Sequence, residues 1–284
     1  MAILNRIGLG PGLGPGLGLG LGLGLGLGLG LGLLGPSPAA LAGAWTLDAG
    51  VGQVFVTGTL STSDLIFNPA RQTQGAPRYS KFEAEALLEY GVTEHFTAIV
   101  GPGVQDINIA APVNAQRSGL GYTELGGRYQ LLQTDSWVAS GQVLLRLPGT
   151  TDNSNPAAIG YTDVQADVRA LLGHSFMLGS MPAFLDLEAA QRFCSAGAPD
   201  EFHADLTFGV RLAPRWLLLI QSFNVLSEGS GTWGFSSYDY EKAQLSVVYG
   251  VSAALSLQVG GFSTYAGRNA LQENGLVLGA WYKF

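Results

Sequence analysis

In the segment YSKFEAEALLEYG, residues 79–91, apolar and charged side chains alternate with a period of two. Phe82, Ala84, Ala86, Leu88 and Tyr90 fall on one face of an extended chain, and Lys81, Glu83, Glu85 and Glu89 on the other. The pattern recurs. Val164, Ala166, Val168 and Ala170 oppose Asp163, Gln165, Asp167 and Arg169; Leu185, Leu187 and Ala189 oppose Asp186, Glu188 and Arg192; Phe202, Ala204, Leu206, Phe208 and Val210 oppose His203, Asp205, Thr207 and Arg211. Alternating segments cover 51–62, 79–91, 95–107, 119–133, 136–148, 161–173, 182–193, 201–212, 215–225, 238–250, 253–264 and 274–284. That is about twelve strands of roughly 10–13 residues, long for a soluble protein and the length of tilted membrane strands.

The connections alternate as well. VTE, QTDS, HS, AP and VSA are short, whereas those around 68–75, 110–118, 149–159, 194–200, 226–237 and 265–273 are long and rich in Gly, Asn, Ser and Pro. Short turns on one side and long loops on the other, with an even strand number, predict an all-β fold: a transmembrane antiparallel up-and-down β-barrel. A soluble sandwich also alternates, but its polar face is the outside and its strands are shorter.

In a lipid-embedded wall the apolar face looks out and the charged face looks in. A Lys or Arg turned to hydrocarbon at mid-membrane costs about 2–4 kcal/mol. Parity puts the acids Glu83, Glu85, Glu89, Glu124, Asp163, Asp167, Asp186, Glu188 and Asp205 inward, with the bases Lys81, Arg128, Arg146, Arg169, Arg192, Arg211, Lys242 and Lys283 and also His203. No Lys or Arg has outward parity in the strands as read, and the outward Glu241 lies near a loop end. Grouping Glu83, Glu85 and Glu89 on one strand, with Arg128, Arg146 and Arg169 on three successive ones, favours separate acidic and basic walls over paired charges.

The chain begins differently. Arg6 is the sole charged side chain before Asp48, Leu and Gly alternate from Leu17 to Leu34, and small residues stand at Ala40, Ala42 and Ala44. A basic start, an apolar middle and an A-x-A end read as an export signal cut after Ala42 or Ala44, giving a leader at 1–44 and a barrel domain at 45–284. A retained membrane helix is the competing reading, weakened by the glycines and by the missing basic flank. The expected location is the outer membrane of a Gram-negative cell.

Composition narrows the chemistry. The net charge of −7 argues against nucleic acid as partner, and the single cysteine, Cys194, excludes an internal disulfide. No metal-ligand spacing, nucleotide loop or catalytic constellation stands out, so neither a cofactor nor an enzymatic activity is expected. A remote alternative is lipid hydrolysis, for which His203, the His174–Ser175 pair and His95 are the residues to inspect.

The last strand, LVLGAWYKF, ends on Phe284 with Tyr282, Ala280, Leu278 and Leu276 on the same face. It resembles the terminal signature of bacterial outer-membrane proteins, which implies recognition by the barrel-assembly machinery through Tyr282 and Phe284. More broadly, GLGYTELGGRYQLL, YGVTEHFTAIVG, SGQVLLRLPGT and LDLEAAQRF with DEFHADLTFGVRLAPRWLLLIQSFN resemble outer-membrane transporters of the meta-pathway of phenol degradation and XagA-type barrels associated with exopolysaccharide production. The resemblance implies a channel or transporter, set in outer-membrane lipid, for a small hydrophobic, aromatic or saccharide-like solute. The alternative is a closed accessory barrel of a polysaccharide secretion apparatus. The aromatic run around Trp233, Phe235, Tyr238 and Tyr240 suits either a sugar-stacking loop or an interfacial girdle.

Overall fold

The computed structural model describes residues 43–152, 154–158, 160–195, 197–232 and 235–284; the Leu-Gly repeat and the rest of residues 1–42 lie outside them, as does Trp233. The strands are β1 (Gly52–Phe67), β2 (Thr73–Thr93), β3 (Phe96–Ile109), β4 (Ala115–Gln133), β5 (Trp137–Leu147), β6 (Gln165–Leu178), β7 (Met181–Cys194), β8 (Glu201–Ala213), β9 (Trp216–Ser227), β10 (Asp239–Gly250), β11 (Leu255–Arg268), a two-residue β12 (Ala270–Leu271) and β13 (Asn274–Lys283). Each long strand pairs antiparallel with its sequence neighbour. The sheet closes where β1 pairs with both β2 and β13, giving a twelve-stranded barrel with β12 as a short extension against β1. Closure satisfies every edge, which is what lets strands cross hydrocarbon. Among the described residues no helix is long and apolar enough to cross a membrane; the strands make the crossing.

The outer wall is apolar. Val56, Leu60, Leu88, Val143, Val168, Leu187, Ile220, Leu245 and Leu278 are all exposed. Aromatic side chains bracket this belt: Tyr90, Trp137, Trp216 and Tyr282 at the end carrying the short turns, and Phe193, Phe202 and Tyr265 at the other. Such an exterior is stable only in lipid, and the chain is an outer-membrane β-barrel, its short turns, Gly52 and Phe284 on the periplasmic side.

The strands reach further than the alternation indicated. β2 starts at Thr73, so the first long loop shrinks to 68–72, and the extension carries Arg78 outward beyond the apolar belt. β11 runs to Arg268 and β12 pairs with β1, so most of the expected loop at 265–273 is sheet. His174 and Ser175, expected in a short turn, lie within β6, and the turn falls at Gly179–Ser180, where Gly179 has φ +63°. A glycine adopts that left-handed backbone without the steric penalty a side chain would add. Conversely, β6 begins at Gln165, leaving Asp163 in the connection from β5.

Candidate functional site: a plugged and charge-filled interior

The barrel encloses three layers. Nearest the periplasm, β1, β2, β3, β5, β7, β9, β10 and β13 turn Phe55, Leu87, Ile99, Leu144, Phe184, Leu217, Leu219, Val248 and Trp281 inward as one buried apolar cluster. Several share the parity of charged neighbours on their strand, Leu87 with Glu85 and Glu89, Leu144 with Arg146 and Phe184 with Asp186.

Against this layer lies the segment before β1. From Gly43 to Val51 the chain folds into the barrel as a strap. Ala44 N donates to Asp186 Oδ1 at 3.0 Å, Ser140 Oγ donates to the Ala44 carbonyl, and Arg128 Nη1 donates to the Trp45 carbonyl at 2.9 Å. Thr46 Oγ1 donates to Gln130 Oε1 at 2.9 Å and Leu47 N to Thr97 Oγ1 at 2.9 Å. The Trp45 ring meets Phe184 edge-on at 6.4 Å. It lies so close to Gly173 that a Cβ there would stand 2.2 Å from its Cη2, so residue 173 must be glycine for the strap to seat.

Above the strap is a network of ion pairs. Arg169 bonds Glu188, Asp205 at 3.0 Å and Asp167 at 3.3 Å; Arg192 bonds Asp167 at 3.1 Å and Glu201 at 3.3 Å; His203 Nε2 lies 2.8 Å from Glu201. Arg128 reaches across β3 to Glu89 at 2.8 Å. Arg146 bonds Glu124 at 2.8 Å and Gln165 at 2.5 Å while its guanidinium lies 4.4 Å over the Tyr122 ring. On the opposite wall Lys81 pairs with Glu83 at 3.4 Å and Glu273 at 3.8 Å, and Lys242 with Glu273 at 3.3 Å. Opposite charges therefore interleave, and the separate acidic and basic walls are absent. Burial is the reason: an unpaired ion in a low-dielectric interior costs on the order of several kcal/mol, so the arginines of the network meet acids from other strands and both lysines meet Glu273.

The third layer is at the extracellular mouth. The connection between β5 and β6 turns inward through a 3-10 turn, Pro156–Ala158, and buries Ala157 and Tyr161 against Ile66, Tyr79, Ile107, Ile109, Tyr122 and Leu271. Tyr122 Oη donates to the Asp163 carbonyl at 3.1 Å.

Of the residues expected inside, Lys81, Glu89, Arg128, Arg146, Asp167, Arg169, Asp186, Glu188, Arg192, His203, Asp205 and Lys242 are buried within the barrel, and Glu83, Glu85 and Glu124 are half-buried there. Asp163 is buried in the inserted loop, taking a hydrogen bond from Thr162 at 3.2 Å. Arg211 sits at the periplasmic rim, bonded to the Pro214 carbonyl at 3.2 Å, outside the network. Two hubs escaped the sequence reading. Glu201 shares the parity of His203 and was legible there; Glu273 lay in an apparent loop, and only the pairing of β12 and of β13 with β1 turns it inward to Lys81, Lys242 and Ser61. Tyr238 and Tyr240 are neither a surface platform nor a girdle: both are buried inside the mouth, where Tyr238 Oη donates to Glu201. Tyr282 and Phe284 stand exposed on the outer face, stacked at 6.2 Å.

The histidines form no nucleophile-activating pair: His203 bonds Glu201, His174 stacks between Trp137 at 4.0 Å and Phe176 at 5.4 Å, and His95 Nδ1 lies 3.4 Å from Gln130 Nε2. Among the described residues no group of His, Cys, Asp or Glu could hold a metal ion.

The chain matches no protein-family model and no curated protein sequence. Solved structures are similar to it. An outer membrane channel from Pseudomonas putida F1 superposes with a TM-score of 0.71 at 15% identity, over 85% of this chain and 98% of that one. The NanC porin superposes with a TM-score of 0.52 at 8% identity, over 81% of this chain and all of its own. At these identities the similarity establishes a shared outer-membrane barrel fold.

Proposed function

We propose that this protein is a gated outer-membrane channel for a small solute, closed at rest by the strap. The observation that carries the reading is how the plug is held. Hydrogen bonds along the run from Ala44 to Leu47, a backbone bond from Gly50 N to the Gly91 carbonyl and one seated tryptophan fix a peptide segment that belongs to no strand, so the strap can leave without breaking the barrel. The similarity in fold to a Pseudomonas channel and to a porin agrees with this reading. So do Gln105, Gln244 and Gln258, whose buried side chains present polar atoms with no protein partner among the described residues, as suits a wall that water or a polar solute passes.

For the solute, the mouth favours a small aromatic or saccharide-like molecule. Tyr79, Tyr122, Tyr161, Tyr238 and Tyr240 converge there, combining flat apolar faces with hydroxyl groups. This agrees with the resemblance to the phenol-pathway transporters.

The test is single-channel recording in planar bilayers. The protein starting at Gly43 should open rarely, and a variant lacking residues 44–49 should conduct steadily, with an ion selectivity that Glu85→Gln shifts toward anions. A folded deletion variant that stays silent would overturn the channel. The reading left would be the closed accessory barrel, which the apolar layer around Phe55 and Trp281 favours.

A further inference from the structure

Asp186 is 1% exposed, and among the described residues no Lys, Arg or His side chain pairs with it. Its neighbours differ: Asp167, Glu188 and Asp205 are each bonded by an arginine. Asp186 also shares a hydrogen bond with the Glu188 carboxyl, so two acids meet in the interior, and a buried pair of carboxyl groups is costly to ionise without a further cation. The end of the strap reaches Asp186 as well. Ala44 N donates to Oδ1, and Gly43 lies so close that a Cβ on it would stand 1.9 Å from Oδ2, in a backbone conformation, φ +74°, that glycine adopts freely.

We infer that the working protein begins at Gly43 and that the α-ammonium of Gly43 is the missing cation, a latch that pins the strap to Asp186. The export signal permits cleavage after Ala42 or after Ala44. Only the first leaves the observed bonds intact. Removing Ala44 would delete both the amide held by Asp186 and the carbonyl held by Ser140. Both Gly43 and Ala44 are buried inside the barrel. In the cleavage, a leader peptidase directs water onto the Ala42 carbonyl and the Ala42–Gly43 bond breaks. Ala42 leaves with a carboxylate, and the freed Gly43 amine is protonated. The product is a cation one bond from the Cα already packed on the carboxylate, and a charge-assisted hydrogen bond between them is stronger than the neutral amide contact it joins.

Two measurements test this independently of whether the barrel conducts. Intact mass and N-terminal sequencing of protein extracted from outer membranes should give a chain starting at Gly43; a start at Trp45, or a retained leader, overturns the inference. Reductive methylation then reads the latch. In the folded barrel the Gly43 amine should react at least about tenfold more slowly than in urea-unfolded protein, and Asp186→Asn should remove most of that protection. Equal rates folded and unfolded overturn the latch without requiring any variant to fold. Protection that survives intact in a folded Asp186→Asn barrel overturns the assignment to Asp186.

Discussion

At the scale of single residues, the interior is governed by the cost of burying charge. Arg169 satisfies three carboxylates at once, so Arg169→Met should leave Glu188 and Asp205 facing one another without a cation, Asp167 keeping Arg192, and cost about 3–5 kcal/mol. Urea titration of the refolded barrel, followed by the mobility difference between folded and unfolded forms on a gel, measures it; a midpoint within error of the parent would contradict the network's role. Gly173 works by having no side chain. Gly173→Val should displace Trp45 and raise the frequency of channel opening in bilayers while leaving the barrel folded, because the residue touches the strap rather than the wall. These roles differ in legibility. Arg169 was marked by parity alone, whereas nothing in the string LLGHS announces that Gly173 receives an indole.

At the scale of elements, the strands and the segments they enclose follow different rules. The strands are specified locally by alternation, and their bounds fell within a few residues of the periodic segments except where loops proved to be sheet. The strap and the β5–β6 loop carry no period, because their residues face the interior from no fixed pleat. Shortening the loop by residues 154–160 should widen the mouth, withdraw Tyr161 from Tyr79 and Tyr122, and raise conductance further in the strap-deleted background. An unchanged conductance would mean that the strap side alone limits passage. His174 and Ser175 make the same point from the other direction. Their polarity suggested a turn, yet β6 carries them on to Gly179, because stacking of His174 between Trp137 and Phe176 offsets the loss of polar exposure.

At the scale of the whole molecule, the barrel is an inside-out arrangement whose two solvents differ. Val168→Arg faces lipid and should destabilise by about 2–4 kcal/mol near mid-wall, measured as folding efficiency into vesicles against the parent. A Val168→Arg barrel that folds as well as the parent would contradict the assigned wall face. Closure also depends on the last strand, since β13 joins β1 to β11 and the Phe284 backbone bonds Gly52 in both directions. We expect Phe284→Asp to lower the amount of barrel recovered from outer membranes, an effect that refolding of the purified variant in detergent should not reproduce if the assembly machinery reads this residue.

The sequence by itself determined the fold class, the strand number and the face on which nearly every side chain stands, because a period of two is a local property of an extended chain. It identified the charges that enter the barrel but not their partners. Partnership depends on closure, which brings Ser61 to Glu273 across 212 positions of sequence and Ala44 to Asp186 across 142. No local pattern encodes such distances. That the interior is filled by a strap, a loop and interlocked ion pairs was decided only when the sheet met its own edge, for then each buried charge and each unpaired backbone group had to find its partner inside the space that remained.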